Sequence, residues 1–250
     1  MFDVEERDVA RDRLLEMAKV DGRVVGAAVV GSLSVGSEDR WSDLDLTFAV
    51  SDDVQVDQVL TDWTRQLVAD LDAVVLFDLP SGHTTYRVFL LPRCLQVDLS
   101  FTPAAWFGPR GPRFRLLFGR AGEVSPPDPP DPRGLFGWAV VYARAARAYI
   151  ARGRWWQAEH CIDGVRDRTL ALACIRRNLE SAHGRGYDDL PSTVLDPLRR
   201  TLVSSLAPEA LLEALRASVD GLLRESVDLG ELATKAGRSL REWLRQGEPT

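Results

Sequence analysis

The stretch from Gly31-Ser32 through Trp41-Ser42-Asp43-Leu44-Asp45 concentrates the residue types that chemistry on phosphates needs. A glycine followed by a serine lets a phosphate come close to backbone amides, and the Ser32 hydroxyl adds another donor. Gly36 leaves the loop free to turn. Asp43 and Asp45 are two residues apart, so on an extended strand they point the same way. Two carboxylates on one side repel each other unless a cation lies between them. An all-oxygen site favours Mg²⁺, which takes one or two carboxylates plus phosphate oxygens. A third acid, Asp98, stands among apolar neighbours in Leu95-Gln-Val-Asp-Leu-Ser-Phe101, where a charge needs a purpose. Two cations about 3.5–4 Å apart, bridged by such acids, clamp both ends of an in-line phosphoryl displacement. Arg40, between Ser32 and Asp43, offers a forked donor to a triphosphate tail.

These residues must be held by a sheet. Period and punctuation predict a helix over residues 4–20, an Asp21-Gly22 stop, strands over 24–30 and 44–50, and a helix over 54–71. Strands are expected at 73–77, 86–91 and 95–101, the last two joined by Pro92-Arg93-Cys94. So short a connection makes that pair antiparallel, so the sheet is mixed, with helices on one side. Five prolines within residues 125–132 allow neither helix nor inner strand and read as a linker. Beyond it, helices are expected at 134–151, 155–182, 192–206, 208–223 and 229–245. The first of these carries a stripe of Trp138, Val141, Tyr142, Ala145 and Tyr149. The fold class is thus α+β: a mixed-sheet domain at 1–124, then an all-α bundle at 133–250.

Composition narrows the partners. A net charge of −6 argues against a general nucleic-acid binder, which needs a basic face, and leaves room for a cationic small molecule. No apolar run approaches the roughly 20 residues of a membrane helix, and the acidic start of the chain is unlike a signal peptide. Three cysteines without C-x-x-C spacing fit a reducing cytoplasm better than a disulfide framework.

Gly31, Ser32, the Asp43-Leu44-Asp45 pair and Asp98 on a later strand together resemble the DNA polymerase beta-like nucleotidyltransferase superfamily, over roughly residues 24–101. The resemblance implies Mg²⁺-dependent transfer of a nucleoside monophosphate from a nucleoside triphosphate, with release of pyrophosphate. It implies that all three aspartates ligate metal and that Asp98 helps deprotonate the attacking hydroxyl. The whole-chain plan also resembles the small antibiotic nucleotidyltransferases, such as aminoglycoside and lincosamide adenylyltransferases. That implies ATP as co-substrate and a small hydroxylated acceptor, such as an aminoglycoside-type antibiotic. In those enzymes a carboxylate of the helical half acts as general base. Glu159 is the candidate for it, on a face shared with Asp163 and Arg166 at i, i+4 and i+7.

Other readings stay open: a regulatory or toxin–antitoxin enzyme that modifies a protein or RNA, and a protein that binds nucleotide without turnover. Arg177 and His183 show an R-x₅-H spacing found in helical-bundle ribonucleases. Trp155 and Trp156 are expected in a core rather than beside an acceptor. The cluster Arg110, Arg113 and Arg115 reads as a solvated surface.

Overall fold

The computed structural model describes residues 2–124 and 130–245. Of the proline-rich stretch, residues 125–129 lie outside the described residues. The chain divides into two compact units, Met1–Asp128 and Pro129–Thr250.

The first unit opens on α1, Val4–Val20, whose start is closed reciprocally. The Asp3 carboxylate accepts from the Glu6 amide at 2.9 Å, and the Glu6 carboxylate accepts from the Asp3 amide at 2.8 Å. This satisfies amides that a first helical turn leaves open. The elements β1 (Val24–Val30), α2 (Gly31–Ser34, a single turn), β2 (Leu44–Val50), α3 (Val56–Leu71), β3 (Val74–Ser81), β4 (Thr84–Leu91), β5 (Leu95–Pro103) and β6 (Phe114–Phe118) follow. They build one sheet in the order β3-β4-β5-β2-β1-β6. Only β2 and β5 run parallel; the other neighbours are antiparallel. The expected mixed sheet is therefore present. The turn at Pro92–Cys94 makes β4 and β5 antiparallel, with Arg93 and Cys94 both at positive φ.

Alternation along the strands sorts side chains to two faces. Leu44, Leu46 and Phe48 of β2 and Val97, Leu99 and Phe101 of β5 pack under Leu14 of α1 and Leu60, Trp63 and Leu67 of α3. Phe48, Trp63 and Phe101 meet with ring centroids 4.8–5.3 Å apart. Asp21, just past α1, ties this layer together. It accepts from the Arg23 guanidinium and, at 2.9 Å, from the Trp63 indole, while Arg23 also pairs with Asp62 of α3. The Arg23 hydrogen bond, then those from Trp63 and the Arg23 amide, overcome burial and hold the Asp21 carboxyl at about 2.

Two elements of this unit were not expected. The single turn α2 follows β1 directly, and β6 pairs with β1 and carries Arg115. Arg115 donates weakly to the Leu33 carbonyl at 3.4 Å, and Arg110 to Thr84 at 3.0 Å. At least these two of the three arginines reach back to the fold.

The second unit contains α4 (Pro132–Ala151), α5 (Trp155–Ile175), α6 (Ser192–Leu198), α7 (Pro208–Glu225) and α8 (Gly230–Arg245). Four expectations are corrected here. The buried face of α4 is Phe136, Ala139, Ala143, Ala146 and Ile150, while Trp138 and Val141 of the expected stripe are more than half exposed. Small alanines let the helices approach closely, so the larger residues stand outside the seam. The helix expected over 155–182 stops at Ile175. Arg176 and Arg177 turn to the buried Glu225 of α7, at 3.1 and 2.8 Å, and Asn178 takes a left-handed conformation. Arg177 and His183 therefore share no helix, and Arg177 is committed to an ion pair. The helix expected over 192–206 ends at Leu198 and tightens into a 3-10 turn at Arg199–Thr201, the Arg199 amide being shared by the Leu195 and Asp196 carbonyls. Trp156 is 75% exposed, against the expectation of a core position. Cys161 and Cys174 are buried, and burial pushes both thiols up, while Cys94 is exposed on the β4–β5 turn.

Candidate metal and phosphate site

The face of the first unit's sheet that looks away from α1 and α3 carries the acids. In the parallel ladder of β2 with β5, Asp45 lies directly opposite Asp98. Both alternate with core residues, so both point away from α1 and α3. Asp43 precedes β2 by one residue. Asp43, Asp45 and Asp98 are all half-buried, and each offers a carboxylate oxygen within 4.8 Å of the others. The side-chain amide of Gln96, two residues before Asp98 on the same strand face, donates to both Asp98 oxygens at 3.0 and 3.2 Å. Burial pushes the Asp98 carboxyl above its ordinary value. The Gln96 hydrogen bond opposes this, and the Asp43 charge adds to it.

Gly31 closes the site from the β1 side. Its φ is +65°, and a Cβ built there would fall on the Asp45 carboxylate. Only glycine permits this turn and this contact together. The Gly31 and Ser32 carbonyls hold the short turn that follows. Gly31 accepts from the Ser34 hydroxyl at 2.8 Å, and Ser32 from the Ser37 amide at 3.1 Å.

The loop into β2 is braced at Asp39. Its carboxylate accepts from the Trp41 amide at 2.8 Å and from the Ser42 hydroxyl at 3.0 Å, and these bonds lower its pKa. Beneath the loop lies Arg7 of α1, only 4% exposed. It donates to the Asp39 carbonyl at 2.6 Å and the Ser42 carbonyl at 3.2 Å. The residue just before Asp43 is thereby fixed to the helix layer. Arg40 is exposed, with its guanidinium 4.5 Å from the centre of the Trp41 ring.

The structure thus brings together Gly31, Asp43, Asp45 and Asp98, with Arg40 on the loop that joins them. Glu159 is half-buried on α5 of the second unit, one turn before an Asp163–Arg166 ion pair. Sequence reasoning missed Gln96 and Arg7. Gln96 could have been found from the two-residue strand period. Arg7 has no local signal, since it meets its partners 32 and 35 residues later.

Three carboxylate oxygens so close together form a hard donor set without nitrogen or sulfur, which fits a divalent cation of the Mg²⁺ type. No known protein-family profile matches the chain, and no curated protein matches it in sequence. Several solved structures show some likeness, two of them as follows. One is an aminoglycoside 6-adenyltransferase from Bacillus subtilis, at 11% identity and a TM-score of 0.41, covering 94% of this chain and 95% of that one. The other is a nucleotidyltransferase-like protein from Exiguobacterium sibiricum 255-15, at 13% identity and a TM-score of 0.34, covering 98% and 82%.

Proposed function

We propose that this chain is a nucleotidyltransferase that moves AMP from ATP to a hydroxyl of a small molecule. The observation that carries the reading is the convergence of Asp43, Asp45 and Asp98 beside the positive-φ Gly31. Asp43 and Asp45 are the ligands for Mg²⁺, Asp98 completes the set, and Gly31 and Ser32 present backbone to the triphosphate. When bound, Mg²⁺ neutralises phosphate oxygens and makes a nearby hydroxyl more acidic. In the transfer the acceptor oxygen bonds to the α-phosphorus. The bond from that phosphorus to the bridging oxygen breaks, and pyrophosphate leaves with the electron pair. The acceptor proton passes to a carboxylate. Asp98 and Glu159 are the two residues proposed to take it, and Arg40 is proposed to meet the departing phosphates. An aminoglycoside-type acceptor rests on the sequence resemblance alone.

The test is transfer of label from α-phosphate-labelled ATP to an acceptor panel, with pyrophosphate release measured in parallel. Wild type is expected to label an acceptor in Mg²⁺, and Asp45→Asn is expected to lose labelling while keeping its fold. Wild-type turnover in Asp45→Asn would sink the assignment.

A further inference from the structure

The row of residues through the acids continues across the sheet. Asp45 of β2 pairs with Asp98 of β5, Asp98 with Val88 of β4, and Val88 with Phe77 of β3. The next row runs Thr47, Ser100, Tyr86, Leu79. All share the face away from the helices, because Leu99 and Phe89, one residue along β5 and β4, belong to the core under them, although Thr47 and Ser100 in mid-sheet are themselves buried. Strands lie about 4.8 Å apart, so Phe77 stands about 10 Å from Asp98. Val88, next to Asp98, is 8% exposed, whereas Phe77 and Leu79 at the sheet edge are 56% and 57% exposed. Two large apolar side chains left in water beside a cluster of carboxylates invite a ligand with an apolar flank.

The charges favour one kind of ligand. The Asp78–Arg87 ion pair lies between the two rows in sequence, yet it faces the other side, where Arg87 also donates to Thr64 of α3 at 2.8 Å. In the two rows, β4 and β3 therefore present Val88, Tyr86, Phe77 and Leu79 and no carboxylate. At the end of this surface Arg110 holds Thr84, and His83 stacks on the half-exposed Trp106 at 4.1 Å. Along these two rows a polycation would meet apolar and aromatic surface with an arginine at its rim, and no carboxylate on β4 or β3 to match its charge.

We infer that β4 and β3 form the acceptor subsite, and that the acceptor is a hydroxyl compound with a neutral apolar flank, a ring or chain, rather than a polycation. This rests on the transfer reading. With the triphosphate on the Gly31 side, an acceptor that enters from the Asp98 side lays its remainder along Tyr86, Phe77 and Leu79.

The experiment titrates the full chain, with Mg²⁺ and a non-hydrolysable ATP analogue, against four probes. These are phenyl glucoside and octyl thioglucoside, methyl glucoside as the flankless control, and neomycin as the polycation. The apolar glycosides are expected to bind about tenfold or more tighter than methyl glucoside. Phe77→Ser with Leu79→Ser should erase that preference, while Val75→Ser, on the other face of the same edge strand, keeps it. In wild type, methyl NMR shifts at Leu79 and Val88 should move with phenyl glucoside, which reads the contact even if the double variant fails to fold. Equal binding of apolar and methyl glycosides overturns the inference. So does tighter binding of neomycin that ignores the double variant. It is also overturned if the double variant abolishes a dimer and leaves glycoside binding intact, since a second copy then covers the surface. Nucleotide binding separates the two readings. Loss of Mg·ATP binding with the glycoside preference intact defeats the transfer reading alone, and the converse defeats the subsite alone.

Discussion

Gly31 has two reasons to be glycine, and the sequence disclosed only one. The spacing pointed to close approach of a phosphate; the structure adds that the Asp45 carboxylate occupies the place of a Cβ. Gly31→Ala therefore strains a left-handed residue, at about 1–2 kcal/mol, and displaces a metal ligand. The expected result is a lower melting temperature and a Mg²⁺ affinity reduced about tenfold or more; an unchanged Mg²⁺ titration would contradict the contact. Asp98 makes a prediction of opposite sign. Its pKa is raised by burial, so the folded state favours the protonated form. The penalty is absent below the unfolded value of about 3.9 and complete above the raised folded value. Asp98→Asn removes it, so the metal-free variant should melt at or above the wild-type temperature at neutral pH, and that advantage should vanish on acidification toward pH 4. Added Mg²⁺ should raise the melting temperature of wild type more than that of the variant. The three acids were legible because a strand period of two and an apolar setting are local facts. The Gln96 amide that orients Asp98 is equally local, two residues away on the same strand face.

At the scale of elements, α1 reaches across to the loop before β2. Arg7 is buried and spends its donors on two backbone carbonyls. Arg7→Met takes its donor from both, and while the Asp39 carbonyl keeps the Ser42 amide at 3.3 Å, the Ser42 carbonyl loses the Arg7 bond, a loss of about 1–3 kcal/mol. Because the loop leads into Asp43, the Mg²⁺ midpoint should also rise, with partial recovery in Arg7→Lys; a stability loss with no change in that midpoint would make Arg7 a plain packing residue. Asp21 joins α1, β1 and α3. Its pKa near 2 lies below the ordinary aspartate value, so its contribution is present above about pH 4 and is lost as pH falls toward 2. Since its side chain is 15% exposed, the loss is about 1–2 kcal/mol. Urea unfolding across that window should show it in wild type and not in Asp21→Asn. The main strands and helices of the first unit were legible because alternation and caps mark them. The turn α2 and strand β6 were not: one is four residues long, and the other sits among Gly, Pro and Arg, which read as loop. The end of α5 was hidden for another reason. Its local stop is a lone asparagine, Asn178 in the left-handed conformation, and the ion pairs of Arg176 and Arg177 are made with a carboxylate about 50 residues later, Glu225.

At the scale of the molecule, each unit has its own buried core, around Phe48 and Trp63 in the first and Phe136 and Leu215 in the second. The change from mixed to helical patterning near the prolines was plain in the sequence, whereas the face of α4 that packs was not, because alanine counts little in a hydrophobic pattern. If Glu159 serves the transfer, as proposed, Glu159→Gln should lower kcat by about 10²–10⁴-fold with little change in nucleotide affinity. The pH–rate profile decides: an acidic limb identical to wild type moves the role to Asp98. The distribution of thiols bears on how such questions can be approached. Of three free cysteines, two are buried with raised pKa values and one, Cys94, is exposed on a turn two residues before Gln96. A maleimide dye should therefore attach at a single position in the native protein, beside the strand that carries Asp98. The molecule comes with its own attachment point for a fluorescent reporter, and occupancy of the acidic site can be followed by light without engineering a cysteine.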